Sequence, residues 1–480
     1  MDDARNDRRS DPGSDPMIDG ITLDSRRVAA GDLFIAVPGG QHDGRAFIAD
    51  AVRRGAAAVV YEASDFNAPP LPMPAIGVRD LSKRVSRIAD RFYDSPSRRL
   101  GVVGVTGTNG KTTCTQLLAQ ALDRPPRRCG VIGTLGYGFP GALDAGLHTT
   151  PDAVATQRLL AEFLARGAAY AAMEVSSHAL DQGRVAAIGF HAAVFTNLTR
   201  DHLDYHGDMD EYAAAKARLF LETHLKAAVI NRDDAYGREL ITRVAPHVPV
   251  TTYGLGEGDV HAKTLVCTRE GLRLRAITPQ GEVEIAAPLF GNFNALNLLA
   301  VLATLLALGV ELRDAAERLR HVRPVPGRVE RFKGSDDRPL VVVDYAHTPD
   351  ALEQVLRALR PHVAGRLWCV FGCGGNRDRG KRPEMGRLAE QLADLVILTD
   401  DNPRHESGDA IIRDIAGGMQ QMPRVIRDRR AAIAAAVNEA AASDVVLVAG
   451  KGHEEYQQIG DTRHPYSDRD AVRALLGVAA

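Results

Sequence analysis

The chain has 480 residues, more than one hydrophobic core supports, so two to four units of roughly 100–200 residues each are expected. Apolar residues make up 45% and charged residues 25%, the balance of a globular protein in water, and a formal charge of −2 leaves no basic surplus to hold a nucleic-acid backbone. The apolar run 295–310 falls short of the roughly 18 residues a membrane helix needs, and the five cysteines lack metal-binding spacing. A cytoplasmic protein with reduced, buried thiols is therefore expected.

Residues 1–16 are charged and carry no apolar segment, so they read as a disordered lead-in. A first unit, 17–96, has a strand at 32–37 ending in Pro38-Gly39-Gly40, a helix at 47–54 and a strand at 57–61. The break 93–97 reads as a linker. A second unit, 97–332, carries short buried strands at 100–105, 130–133, 171–175, 192–197 and 227–231 with helical stretches between most of them. Such alternation predicts a mostly parallel sheet covered on both faces. Composition changes again at 333–339, and a third unit, 333–480, places buried strands at 340–345, 367–371, 394–399 and 445–449. The fold class is α/β in three domains: a small first unit, a central mostly parallel sheet and a Rossmann-like C-terminal unit.

The strand 100–105 runs into Thr106-Gly107-Thr108-Asn109-Gly110-Lys111-Thr112-Thr113 and then a helix. Strand, Gly-rich turn and helix start form a phosphate cradle, because backbone N–H groups and the helix dipole converge on one anion. Lys111 supplies a cation for the outer phosphates and Thr112 a hydroxyl for magnesium. The usual pattern has Gly at the position held by Val105, so Gly104 and Gly107 are expected to supply the turn. A chance Gly-rich turn is the bland alternative. The cradle implies ATP and Mg²⁺ but not what is done with them.

Further candidates lie at strand ends, on helices and near a unit boundary. Glu174 is placed either to hold the magnesium or to cap a helix. His202 lies past the next strand and suits a second metal position, whereas Lys216, on a helix, reads as solvated. Asn294 and Asn297 open an apolar helix, where they can read a purine or merely cap. Arg328 sits at the second boundary, where it would reach a phosphate only on domain closure.

Four polar turns end four strands of the third unit: 344–350, 372–378, 401–404 and 450–454. With Arg377, Arg404 and Glu454 among them, they suit a zwitterion carrying more than one carboxylate.

Taken in order, Thr-Gly-Thr-Asn-Gly-Lys-Thr, Glu-Val-Ser-Ser-His, the Asn294/Asn297 segment, Pro-Gly-Arg-Val-Glu and Asp-Tyr-Ala-His-Thr-Pro-Asp resemble the Mur ligase superfamily from about Leu23 to Tyr456. The segments Leu23-Asp24-Ser25-Arg26 and Asp43-Gly44-Arg45 look like the uridine-nucleotide domain of its third-amino-acid-adding branch. The resemblance implies that Leu23, Ser25, Gly40, Gln41 and His42 contact UDP, and that Thr149, Thr150, Ser176, Gln182 and Arg184 hold a muramoyl dipeptide. It implies an ATP site at Gly107, Thr108, Asn109, Gly110, Lys111, Thr112, Thr113, Asn294, Asn297, Arg328 and Asp344. Metals would lie at Thr112, Glu174, His202 and Lys216, the last as a carbamate. Arg377, Asp401, Asn402, Pro403, Arg404, Gly450 and Glu454 would hold the incoming amino acid.

The implied reaction transfers the ATP γ-phosphoryl to the D-glutamate γ-carboxylate of UDP-N-acetylmuramoyl-L-alanyl-D-glutamate. The amine of meso-2,6-diaminopimelate then displaces phosphate, with Lys111, Glu174, His202 and Lys216 stabilising charge and His347 or Asp344 assisting the amine. Diaminopimelate is favoured over L-lysine because Arg404 can grip its distal carboxylate and repels a lysine ammonium. The alternatives are an L-lysine-adding or folate-polyglutamate ligase, and a P-loop switch that controls a partner. A monomer without nucleic-acid or membrane partners is expected.

Overall fold

A computed structural model describes residues 16–39, 42–268 and 270–478. The lead-in, except Pro16, lies outside them, as do Gly40 and Gln41. Four parallel strands, Gly20–Thr22, Asp32–Ala36, Ala58–Glu62 and Ala75–Val78, form the first sheet in that order. The helix Leu81–Phe92 covers it because Leu81, Val85 and Ala89 recur every four residues and are buried, meeting Ile21 and Ile35.

The second sheet has twelve strands centred on Gly101–Thr106, which pairs in parallel with Ala168–Glu174 on one side and Gly189–Phe195 on the other. Val102, Val103 and Val105 are fully buried, as a strand covered on both faces requires. Helices Lys111–Leu122 and Asn292–Ala307 pack on one face; Ala153–Ala165, Met209–Leu221 and Ala235–Arg243 pack on the other. The edge is an antiparallel extension, Val260–Cys267, Leu272–Thr278 and Gly281–Ala287. The last two strands alternate inward apolar and outward charged residues, so a search for continuous apolar runs passes over them.

The third sheet is parallel except for its first strand, Glu330–Lys333, which pairs antiparallel with Leu340–Asp344. The polar stretch 333–339 is thus largely the turn of a hairpin rather than a boundary, and the third sheet begins at Glu330. Val445–Ala449, Leu367–Phe371, Leu395–Leu398 and Arg424–Val425 complete it, and a separate hairpin, Tyr456–Ile459 with Thr462–Pro465, follows. The five cysteines are free. Among the described residues, no helix is long and apolar enough to cross a membrane.

Candidate active site

The loop expected to cradle phosphate begins where the central strand ends. Gly107 (φ 145°) and Gly110 (φ 86°) supply the turn, and a Cβ on them would lie 1.9 Å from Thr196 Oγ1 and 2.7 Å from Asn297 Oδ1. Gly104 does not contribute: it stays in the strand under Phe190, 2.7 Å from where a Cβ would be, so its smallness serves packing. The loop is pinned from the neighbouring strand's end. The backbone N–H of Thr108 donates to the Asn197 carbonyl at 2.8 Å, that of Asn109 to Asn197 Oδ1 at 2.9 Å, and Thr196 Oγ1 to the Asn109 carbonyl at 2.6 Å. Asn197 was not singled out from the sequence, since one amide after a strand carries no distinguishing signal. Lys111 Nζ donates to the carbonyls of Gly107 and Thr108 at 2.9 and 2.8 Å, while Thr112 and Thr113 are buried in the helix's first turn.

Glu174 is buried at the end of its strand and does not cap a helix. Its Oε2 accepts from Thr112 Oγ1 at 2.9 Å and Thr134 Oγ1 at 3.1 Å, and its Oε1 from the Thr134 N–H at 2.7 Å. Thr134, also unforeseen, continues to Thr149 Oγ1 at 3.0 Å. Next to it Thr150 Oγ1 donates to the Glu174 carbonyl at 2.8 Å and lies 3.4 Å from Ser176 Oγ. Arg184 Nη1 donates to the Thr150 carbonyl at 2.8 Å and its Nε to Gln182 Oε1 at 2.9 Å. The five residues expected to hold a dipeptide therefore form one linked patch beside the phosphate loop.

Lys216 corrects the solvated reading: its side chain is buried, with Nζ donating to the Gly107 carbonyl at 2.9 Å and lying 4.3 Å from the centre of the Tyr212 ring. Burial, reinforced by the charge of Lys111, pushes its pKa well below that of an ordinary lysine. His202 stands at φ 53°, its Nε2 3.4 Å from Asp201 Oδ2 and its ring 5.0 Å from that of His178; burial lowers its pKa. Asn294 and Asn297 are buried and bonded to each other at 3.0 Å, and Asn294 Nδ2 also donates to the Phe290 carbonyl at 2.8 Å. Asn297 Oδ1 additionally accepts from Cys114 Sγ at 3.3 Å, so this pair braces the helix under the loop.

Arg328 reaches the loop in the arrangement seen here. Its Nη2 is 3.4 Å from Thr112 Oγ1, and its guanidinium is 5.0 Å from the centre of the Tyr345 ring. Asp344 Oδ2 accepts from the Val329 N–H at 2.8 Å and Oδ1 from the Ala346 N–H at 2.7 Å; its burial raises its pKa. His347 Nδ1 lies 2.8 Å from the Tyr345 carbonyl. A cleft of about 440 Å³ is lined by the loop together with Glu174, His202, Lys216, Arg328, Asp344 and His347.

The residues expected to hold the incoming amino acid form a second cluster, outside that cleft's lining, at the carboxyl ends of the third sheet. Arg404 (φ 51°) donates from Nη1 to the Gly375 carbonyl at 2.9 Å. Asn402 Nδ2 donates to Glu454 Oε2 at 2.9 Å, and a Cβ on Gly450 would lie 2.4 Å from Asp401 Oδ2. Gly375 also packs against the Pro403 carbonyl, whereas Arg377 makes no side-chain hydrogen bond among the described residues. In the first unit Ser25 is buried, Leu23 is partly so and His42 is exposed; Gly40 and Gln41 lie outside the described residues.

Family models match three stretches: the Mur ligase family catalytic domain at 17–93, the Mur ligase middle domain at 105–305 and the Mur ligase glutamate ligase domain at 327–452. The chain belongs to the Mur ligase family and is an enzyme of that ligase class, not a nucleotide-controlled switch. It is 54% identical to the UDP-N-acetylmuramoyl-L-alanyl-D-glutamate--2,6-diaminopimelate ligase of Pseudomonas aeruginosa, over 96% of each chain. A solved structure of an enzyme with that name is 38% identical over 96% of this chain and 95% of the other, with a TM-score of 0.72. A MurF ligase from Thermotoga maritima in complex with ADP shares the fold at 20% identity and a TM-score of 0.65, covering 91% of this chain and 94% of the other.

Proposed function

We propose that the chain joins meso-2,6-diaminopimelate to the D-glutamate γ-carboxylate of UDP-N-acetylmuramoyl-L-alanyl-D-glutamate, at the expense of ATP, in the cytoplasm. The observation that carries the reading is the hydroxyl–carboxylate chain Thr112–Glu174–Thr134–Thr149, which joins the phosphate loop to the patch suited to the acceptor peptide. In this reading residues 17–96 take the uridine nucleotide, the central unit takes ATP and the dipeptide, and the unit beginning at Glu330 takes the diamino acid.

The carboxylate attacks the γ-phosphorus and ADP leaves, giving an acyl phosphate. The free amine then adds to its carbonyl carbon, phosphate departs with the C–O bonding pair, and the amine loses a proton. Lys111 and Arg328 offset charge on the transferring phosphoryl group, and catalysis is chiefly positioning. His347 is the residue on the amine's approach. Magnesium fits the hard oxygens of Thr112 and Glu174, and would neutralise phosphate charge when bound. His202 and Lys216 fit a second ion only if the buried amine carries a carbamate. Its lowered pKa favours the neutral amine that reacts with carbon dioxide. Labelled bicarbonate followed by carbon NMR tests this.

Phosphate release from ATP in the presence of the UDP-muramoyl dipeptide, with diaminopimelate or lysine as second substrate, decides the matter. The reading requires strong dependence on both acceptor and diaminopimelate. Equal rates with lysine would sink the choice of amino acid, and release independent of acceptor would sink the reaction.

A further inference from the structure

Lys451 follows Gly450 at the end of the strand Val445–Ala449, and its side chain is 0% exposed. A lysine is almost never buried unless paired, and this one is fully satisfied. Its three N–H bonds match three acceptors: Asn402 Oδ1 at 2.8 Å, the Tyr456 carbonyl at 2.8 Å and Glu454 Oε2 at 3.2 Å.

The consequence lies one bond further out. Asn402 Oδ1 also accepts from the Gln458 N–H at 2.8 Å. Two donors on one side-chain atom identify it as the amide oxygen, so Nδ2 must face away, and it donates to Glu454 Oε2 at 2.9 Å. Oε2 is thereby engaged by two donors, and among the described residues Oε1 has no hydrogen-bond partner. The Tyr456 carbonyl opens the hairpin strand Tyr456–Ile459, whose Ile459 pairs with Arg404. Arg404 uses only Nη1 on Gly375, which leaves Nη2 and Nε without acceptors among the described residues. One buried ammonium thus orients an acceptor for an amine and anchors the strand that supports a donor for a carboxylate.

We infer that Lys451 is a positioning residue for the incoming diamino acid, acting through Asn402 and Glu454 to present Glu454 Oε1 to a substrate ammonium. This rests on the proposed function and deepens it. Lys451 touches no substrate in the reaction described above; it sets the amide orientation and compensates the charge of Glu454 and, from 3.9 Å, that of Asp401.

The test is Lys451→Met in the full-length enzyme, with KM measured separately for diaminopimelate, ATP and the UDP-muramoyl dipeptide, alongside the melting temperature. KM for diaminopimelate should rise by about tenfold or more, the equivalent of one lost charge-assisted contact, with the other two nearly unchanged. An unchanged KM, or an equal loss in all three with a lowered melting temperature, overturns the inference. Removing one partner of a buried ion pair can prevent folding, whereas removing both is better tolerated, so Lys451→Met is also combined with Glu454→Gln. The combined variant should raise KM for diaminopimelate by less than the product of the two single effects; a fully multiplicative rise shows that Lys451 does not act through Glu454. Should the native enzyme show no dependence on diaminopimelate, the proposed function falls. The role of Lys451 is then read from a crystal structure of the variant, where an unchanged Asn402–Glu454 pair overturns it.

Discussion

The Thr112 hydroxyl donates to Glu174 Oε2 at 2.9 Å, tying the first turn of the helix after the Gly-rich loop to the end of the neighbouring strand across 62 residues of chain. Each partner offers a hard oxygen, and Glu174 is also fastened by two bonds from Thr134. Glu174→Ala should lower kcat by about 10³ or more, since it removes a preorganised charge from a phosphoryl-transfer site. It should also raise the magnesium concentration needed for half-maximal rate. Steady-state kinetics across a magnesium titration checks both; a variant with native metal dependence would contradict the assignment.

Gly107 has no room for a side chain. Gly107→Ala would force its Cβ onto Thr196 Oγ1 at a backbone angle costing an L-residue about 1–3 kcal/mol. Nucleotide affinity, measured by calorimetry with ADP, should fall by at least tenfold. Gly104→Ala should instead lower the melting temperature, because its clash is with the buried Phe190 ring rather than the loop.

Arg404 spends one nitrogen on the Gly375 carbonyl and keeps the rest of its fork available. Arg404→Leu should reduce the preference for diaminopimelate over lysine by about 10² or more, because the carboxylate loses its partner and the lysine ammonium loses its repulsion. Competition between the two amino acids, read by mass spectrometry of the products, gives the ratio directly. An unaltered ratio would remove Arg404 from the account of specificity.

Glu406 contributes to acid stability. Its hydrogen bonds to the guanidinium of the fully buried Arg382, aided by the Asn376 N–H, hold its pKa at about 2 against 4.5 in an unfolded chain. Because the folded value is the lower one, this contribution is complete above about pH 4.5 and is lost as the pH falls toward 2. Arg382→Met should lower stability at neutral pH, because it takes the guanidinium away from both Glu406 and Asp414 while Arg379 still pairs with Glu406, and should flatten that acid slope. Urea unfolding at several pH values measures both quantities.

Much of the architecture was legible because strands buried on both faces are written as uninterrupted apolar runs. Leu367–Phe371 and Val445–Ala449 match their sequence segments residue for residue. The strands Leu272–Thr278 and Gly281–Ala287 escaped because half of each faces solvent. In the site, the glycines and Lys111 announce themselves by spacing. Lys216 could not, since an amine buried at the Gly107 carbonyl looks, in one dimension, like any lysine on a helix. Thr134 and Asn197 were silent for a related reason: each matters through one contact made by folding.

The stretch joining the second and third sheets is built with little slack. Gly327 (φ 65°) lies against the backbone of Gly452 and His453, Arg328 reaches Thr112, and Val329 (φ 49°) is tied to Asp344. A rotation of the C-terminal unit about this stretch would carry the Arg328 guanidinium away from Thr112. Orientation of that unit and the surroundings of the loop would then change together, and a small molecule wedged against the joint would hinder both.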